Sequence, residues 1–304
     1  MGILTDVKVW ATAGILLGLL VGFDHPDAAT ILMLVLILQM TLSLEGVSFS
    51  RSDFRDYRRQ IAGCIIGCFL LNTGLTLVTG LFFIDDTALW YGWIMLASVP
   101  CGVSVVSGSL FLRGDTKLSV LGLTAVYVCA LALTPLITHV LIGDAVSPLD
   151  ILKYILMFIL VPFIAAQPLK RLHMPNNARI IGINILMLMM VFVAVGSRRN
   201  YIFSFPDVVL WLMVACTLRL IVFSMVLVYI FRAMHMDRRN GMVYVLMSIW
   251  KNSGMSISMT MALIAPVYPE AVLPCVVSLA MEMVWFTFIT AVNRRVWPVD
   301  ADSS

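Results

Sequence analysis

The stretch SIWKNSGMSIS, Ser248–Ser258, lies inside a long apolar run between Gly241 and Ala265. It carries Lys251, then Asn252-Ser253-Gly254, then Ser256 and Ser258. A lone charge at mid-membrane costs about 2.5–3.5 kcal/mol on insertion scales, so it is kept where it pairs or faces a wet cavity. The triplet loosens a helix, because Asn and Ser compete for backbone hydrogen bonds and Gly is conformationally free. The segment therefore reads as a membrane helix interrupted beside a buried ammonium.

A second stretch has the same character. SVPCGVS, Ser98–Ser104, falls in the middle of another apolar run. Pro100 removes a backbone donor and clashes with the preceding turn. Pro100-Cys101-Gly102 and Asn252-Ser253-Gly254 stand 152 residues apart. In transporters built from inverted repeats, Gly- or Pro-interrupted helices at corresponding positions mark a binding site near the midplane. Taken singly, Pro100 would be a kink and the triplet a site of close helix packing. As a matched pair they point to a site.

Composition sets the frame for both. Of 304 residues, 61% are hydrophobic and 12% charged, and the mean hydropathy is +0.99. A soluble domain has roughly half apolar and about a quarter charged residues. The chain is predicted to be an all-α polytopic membrane protein, with the lipid bilayer as its surroundings. Its net charge of +3 is spread over several loops, so no nucleic-acid partner is expected, and a monomer is. The six cysteines all fall in apolar segments, which predicts no structural disulfide. The first apolar run lacks a small-residue cleavage site, so it reads as a retained helix rather than a signal peptide.

Ten spans are predicted, near 7–23, 29–45, 60–83, 88–112, 117–142, 150–168, 179–197, 207–232, 240–265 and 270–293. With the N-terminus on one side and strict alternation, that side carries fifteen of the 20 Lys and Arg residues, including Arg55, Arg58, Arg113, Lys117 and Arg238. The other side carries Lys153, Arg198 and Arg199, and Arg219 and Lys251 fall within spans. The positive-inside rule then gives both termini to the cytoplasm of a cell's inner membrane. ILML at Ile31–Leu34 recurs at Ile185–Leu188, and at the same spacing Ser43, Phe49, Ser50 and Asp53 match Ser197, Phe203, Ser204 and Asp207. Two repeats are expected, over 1–149 and 150–304. Five spans is an odd number, so the repeats must be inverted.

Arg219, Lys251, Glu282 and Pro100 each lie eleven or twelve residues into a span. At about 1.5 Å per residue and a core about 30 Å thick, this is close to the midplane. Glu282 is the one acid expected at that depth, and either Lys251 or Arg219 is its expected partner. The base left over gives a net charge near +1, which favours an anionic substrate or a lysine that loses its proton during the cycle. Cys64 and Cys68 share a helix face but lack further ligands, so they read as core thiols and no metal is expected. No P-loop, G-x-S-x-G or H-E-x-x-H pattern is present, and no enzymatic activity is expected.

The segment Pro100–Ile137 resembles the region after the fourth-helix break of the bile acid:sodium symporter family. Pro100, Gly102, Gly114-Asp115, Leu118-Ser119-Val120 and Thr134-Pro135 stand at the family's spacing. KNSGMSISM is similar to its Gln-Asn-Ser-Gly signature in helix nine. The resemblance implies crossed broken helices four and nine, a core of spans three to five and eight to ten, and a panel of spans one, two, six and seven. It implies an organic anion as substrate. On it, the expected substrate-binding residues are Cys101, Gly102, Val103, Ser104, Arg219, Lys251, Asn252, Ser253, Glu282 and Met283. Ser119, Thr124, Lys251 and Glu282 are the expected cation-coupling residues.

The departures bear on sodium. Val106, Met247, Lys251 and Cys68 stand where family members carry the side chains that ligate it. Sodium is a hard ion that wants oxygen, and lysine repels it. Sodium coupling is therefore expected to be lost or altered, with proton coupling as one replacement. Arsenite efflux permeases resemble the chain at Pro100-Cys101 and Glu282, without their Asn-Asn-Phe-Glu in helix nine. Three functions follow: a secondary transporter of a small organic anion, a metalloid efflux permease, and a binding or sensory protein on the same fold. If the midplane charges form the site, Lys251→Met and Glu282→Gln each abolish transport, and unchanged transport in both would discard it.

Overall fold

In a computed structural model, the structure describes residues 5–44, 51–169 and 174–297. Phe49, Ser50, Lys170 and Arg171, used above for the repeat and for sidedness, lie outside them. The described residues form helices and no strand. In chain order the main helices are α1 (Val7–Val21), α2 (Ala28–Leu44), α3 (Arg58–Phe83), α4 (Thr87–Ser98), α5 (Ser104–Phe111) and α6 (Thr116–Ile142). They continue with α7 (Pro148–Leu169), α8 (Asn176–Gly196), α9 (Pro206–Ala233), α10 (Arg238–Ile249), α11 (Ser253–Leu263) and α12 (Leu273–Val296). Each expected span is met by helix, with ends displaced by no more than three residues.

Side-chain caps set several helix starts by giving the first free amides an acceptor. Asp6 accepts from Lys8 N, Asp86 from Leu89 N, Asp115 from Leu118 N and Asp237 from Asn240 N, all at 2.9–3.0 Å. Six helical segments, including α3, α6, α7, α8 and α9, are long and apolar enough to cross a membrane. The sixth, 269–293, covers most of α12. The helices α1 and α2 are shorter but apolar. Large apolar side chains stand exposed along these helices, among them Leu20, Leu70, Val140, Ile164 and Trp211, each about two-thirds exposed or more. Water would penalise such a surface and lipid would not. The molecule is an integral membrane protein.

Packing divides the helices into two neighbourhoods. α1 packs on α8, α8 on α2 and α2 on α7. α3, α4, α6, α9, α10, α11 and α12 pack on one another; of the six long spans the one covering most of α12 is the most enclosed, with 78% of its apolar window buried against 28% for α7. The neighbourhoods meet where α6 packs on α7 and where α11 lies on α2. Gly254 opens that contact. A Cβ there would come within 2.7 Å of Met190 Sδ and 3.0 Å of Leu36 Cδ1.

Two departures from regular α-helix were not expected. α3 widens to a π turn at Gly67–Asn72, and α9 does so at Leu218–Val222. Such wide turns occur mostly as single bulges and often at functional sites. A leucine at Gly254 is expected to overpack the contact and cost about 1–3 kcal/mol, read as a lowered melting temperature of the purified protein in detergent.

Candidate functional site

Both expected breaks are present. α4 ends at Ser98 and α5 begins at Ser104; α10 ends at Ile249 and α11 begins at Ser253. Proline disfavours helical geometry in the residue before it, and Val99 is extended at φ −69°, ψ 153°. The second break has no proline. Trp250 turns extended, and Asn252 caps the new helix by accepting from Met255 N at 3.1 Å. The two open stretches lie against each other. Cys101 and Lys251 form an antiparallel bridge, and Asn252 N donates to Pro100 O at 2.9 Å. A Cβ on Gly102 would sit 3.2 Å from Lys251 O, so a small residue lets the backbones approach.

A helix ended in an apolar interior leaves carbonyls that need donors. At the end of α4 four of them are met. Ala97 O accepts from Thr73 Oγ1 at 2.9 Å and from Lys251 Nζ at 2.8 Å. Ser98 O accepts from Thr134 Oγ1 at 2.8 Å, Val99 O from Lys251 Nζ at 2.9 Å, and Pro100 O from Asn252 N. At the end of α10, Met247 O accepts from Asn72 Nδ2 at 3.2 Å and Cys101 Sγ at 3.0 Å. Ile249 O accepts from Arg219 Nη1 at 3.1 Å. Each broken helix thus ends against a buried cation, where the negative end of the helix dipole favours one.

The cations are compensated differently. Arg219 and Glu282 are almost wholly buried and form the ion pair, Nη2 to Oε1 at 3.6 Å. Ser278 bridges them, accepting from Arg219 Nη2 at 2.6 Å and donating to Glu282 Oε1 at 3.3 Å. Ser253 Oγ, at the start of α11, donates to the same oxygen at 2.6 Å. Among the described residues, Arg219 Nε has no hydrogen-bond partner. Lys251 does not pair with Glu282. Of the two expected partners the carboxylate takes Arg219, because the π turn in α9 brings Arg219 beside α12 while the Lys251 side chain runs to α3 and α4. The ammonium instead meets Ala97 O, Val99 O, Thr73 Oγ1 at 3.1 Å and Cys68 O at 3.4 Å.

The crossing therefore gathers Cys101, Gly102, Arg219, Lys251, Asn252, Ser253 and Glu282. Val103 precedes α5 and Ser104 begins it. Met283 is buried in the apolar core next to Glu282. Ser119 and Thr124 turn inward on their own helix, donating to Thr116 O and Val120 O at 2.8 and 2.9 Å. Their hydroxyl protons are satisfied away from the crossing. Asn72, Thr73 and Ser278 belong to the network and were not singled out from sequence, and Thr134, noted there only for its spacing before Pro135, joins them. Adjacent Asn72-Thr73 inside a leucine-rich run was the available signal. Cys68 supplies a backbone oxygen, and both its thiol and that of Cys101 are buried.

At the ends of α2, α8 and α11 the structure holds a cavity of about 270 Å³ lined by residues including Phe23, His25, Arg198 and Met261. It sits on the poorly basic side of the sequence map, where the two helix neighbourhoods meet.

Helices interrupted in mid-course, with open ends crossing in a buried polar cluster, are a construction of membrane transport proteins. The chain belongs to the SBF-like CPA transporter family, whose model matches residues 20–297. This bears out the kinship with bile acid:sodium symporters expected from Pro100–Ile137 and the helix-nine signature. Comparison with curated proteins gave no match.

Breaking a buried ion pair from one side strands the other charge and costs about 3–5 kcal/mol. Arg219→Met and Glu282→Gln are each expected to destabilise by that amount, and the double variant by less than their sum. Thermal unfolding of the four proteins in a double-mutant cycle measures it.

Proposed function

We infer that the chain is a secondary active transporter of a small organic anion, working without sodium at the family's usual positions. The observation that carries this reading is the crossing itself. Two buried cations and one carboxylate meet there, so the cluster has a formal excess of one positive charge when all three are ionised. An anionic group is the complement of such a cluster, and the unpartnered Nε of Arg219 offers it a donor.

Ten membrane-spanning segments fit this function: six long helices, the shorter α1 and α2, and the pairs α4–α5 and α10–α11 counted as one broken segment each. In this reading they form inverted repeats over 1–149 and 150–304. The π turns support the repeat independently of the breaks, since each lies in the helix preceding a broken pair. α1, α2, α7 and α8 form a panel, and the remaining helices a core that moves against it. The cavity beside Arg198 is the outer entrance, and both termini are cytoplasmic in an inner membrane. A monomer suffices, since both breaks come from one chain.

Met247 takes part through its carbonyl and Lys251 as a cation, so neither side chain offers sodium an oxygen. Uptake of small organic carboxylates or sulfonates by proteoliposomes is expected to persist when choline replaces sodium, and to fall at least tenfold (about 1.4 kcal/mol) in Glu282→Gln. Uptake that disappears without sodium would sink the altered-site reading. Binding with no counterflow would favour a sensory protein.

A metalloid efflux permease is the second reading, favoured by the buried free thiol of Cys101 at the first break. Soft ligands suit trivalent arsenic. Arsenite tolerance conferred on a sensitive host and lost in Cys101→Ser would establish it.

A further inference from the structure

The environment of Lys251 is built for a cation rather than for a lysine side chain as such. Four oxygens face Nζ: Ala97 O at 2.8 Å, Val99 O at 2.9 Å, Thr73 Oγ1 at 3.1 Å and Cys68 O at 3.4 Å. Three are backbone carbonyls, which only accept. The fourth, the Thr73 hydroxyl, donates its proton to Ala97 O at 2.9 Å and so turns lone pairs toward the ammonium. An ammonium has three protons to give, so acceptors outnumber donors. Among the described residues no carboxylate contacts Nζ, and the side chain is 1% exposed. The Phe69 ring adds its negative face, 5.9 Å from Nζ.

The origin of the oxygens matters as well. Ala97 O is among the last carbonyls of the half-helix α4, where its dipole is negative, Val99 O belongs to the unwound residue that follows, and Cys68 O lies in the π turn of α3. Unwound carbonyls and half-helix C-termini are where transporters with broken helices hold a dissociable coupling cation. Here the cation at that place is carried on the chain, across the crossing from α4.

We propose that the oxygens around Lys251 form a monovalent-cation cage in which the Lys251 ammonium is a tethered substitute for a free ion, so that removing the tether creates a cation site. The cage's ligand class is a small monovalent cation. Its oxygens stand at N–H···O distance, so ammonium and short alkylammonium ions are the best fits. The inference deepens the sodium-independent reading above and rests on it only for its consequence in transport. It makes sodium independence a property of one side chain.

The test uses full-length protein purified in detergent, with melting temperature followed in chlorides of choline, sodium, potassium, ammonium and n-propylammonium at constant ionic strength. Wild type is expected to melt alike in all five. Lys251→Ala is expected to melt lower in choline and to recover several degrees in ammonium or propylammonium, as a ligand at about a hundredfold its dissociation constant would give. Lys251→Met fills the same space without charge and is expected to stay low in every salt. Lys251→Gln, which keeps a shorter polar stem, is a second carrier of the vacated cage and is expected to respond as Lys251→Ala does.

Equal melting of Lys251→Met and wild type would overturn the proposal, because the cage would then need no charge. So would the absence of any cation-specific shift in both Lys251→Ala and Lys251→Gln, or failure to recover either in any of the salts. Cation-specific stabilisation in a protein that transports nothing would uphold the cage and remove the transport reading. Transport by wild type with no rescue of the variants would do the reverse.

Discussion

The contact between Cys101 and Lys251 is the constraint from which the rest of the site follows. Two helices stop in mid-course, and their carbonyls must find donors in an interior without bulk water. Each solves this by borrowing from the other half of the chain: Pro100 O from Asn252, Val99 O from Lys251, Met247 O from Cys101 and Asn72. Neither break is satisfied alone. An unmet buried carbonyl costs about 1–3 kcal/mol, so separating the two strands would expose several such losses at once. The crossing is therefore a rigid unit, and motion is easier elsewhere.

Charge follows from the same constraint. A half-helix end is a fixed partial negative charge in low dielectric, and each end has drawn a cation. Arg219 comes with Glu282, tied by Ser278 and Ser253 into a closed network. Lys251 comes with neutral oxygens only. The two cations therefore differ in kind: one belongs to a pair, the other neutralises backbone.

Around this unit, α11 lies on α2 across Gly254, and small residues there keep the contact close. Apolar side chains, Leu36 and Met190, face Gly254 there, and among the described residues the strand-like bridge is confined to the crossing.

Apolar runs, caps and the Pro100 and Asn252-Ser253-Gly254 signals determined the helices, the two breaks and the family kinship. These are local properties: hydropathy sets where lipid is tolerated, and proline and Asx residues act on their own backbone. The depth of Arg219, Lys251 and Glu282 was equally legible, because helical rise is constant. What the sequence left open was the partner of each charge. Glu282 could have met Lys251 or Arg219, and spacing along the chain does not choose between them. The choice came from a π turn that turns Arg219 toward α12, and from the direction in which the Lys251 side chain leaves the crossing. Ser119 and Thr124 donate their protons to their own helix, which a hydroxyl can do anywhere along its turn and which says nothing of what its lone pairs meet. Asn72 and Thr73 drew no attention in sequence, yet both bond the broken ends. Backbone carbonyls at the ends of broken helices carry no sequence signature, and only the tertiary crossing shows which side chains reach them.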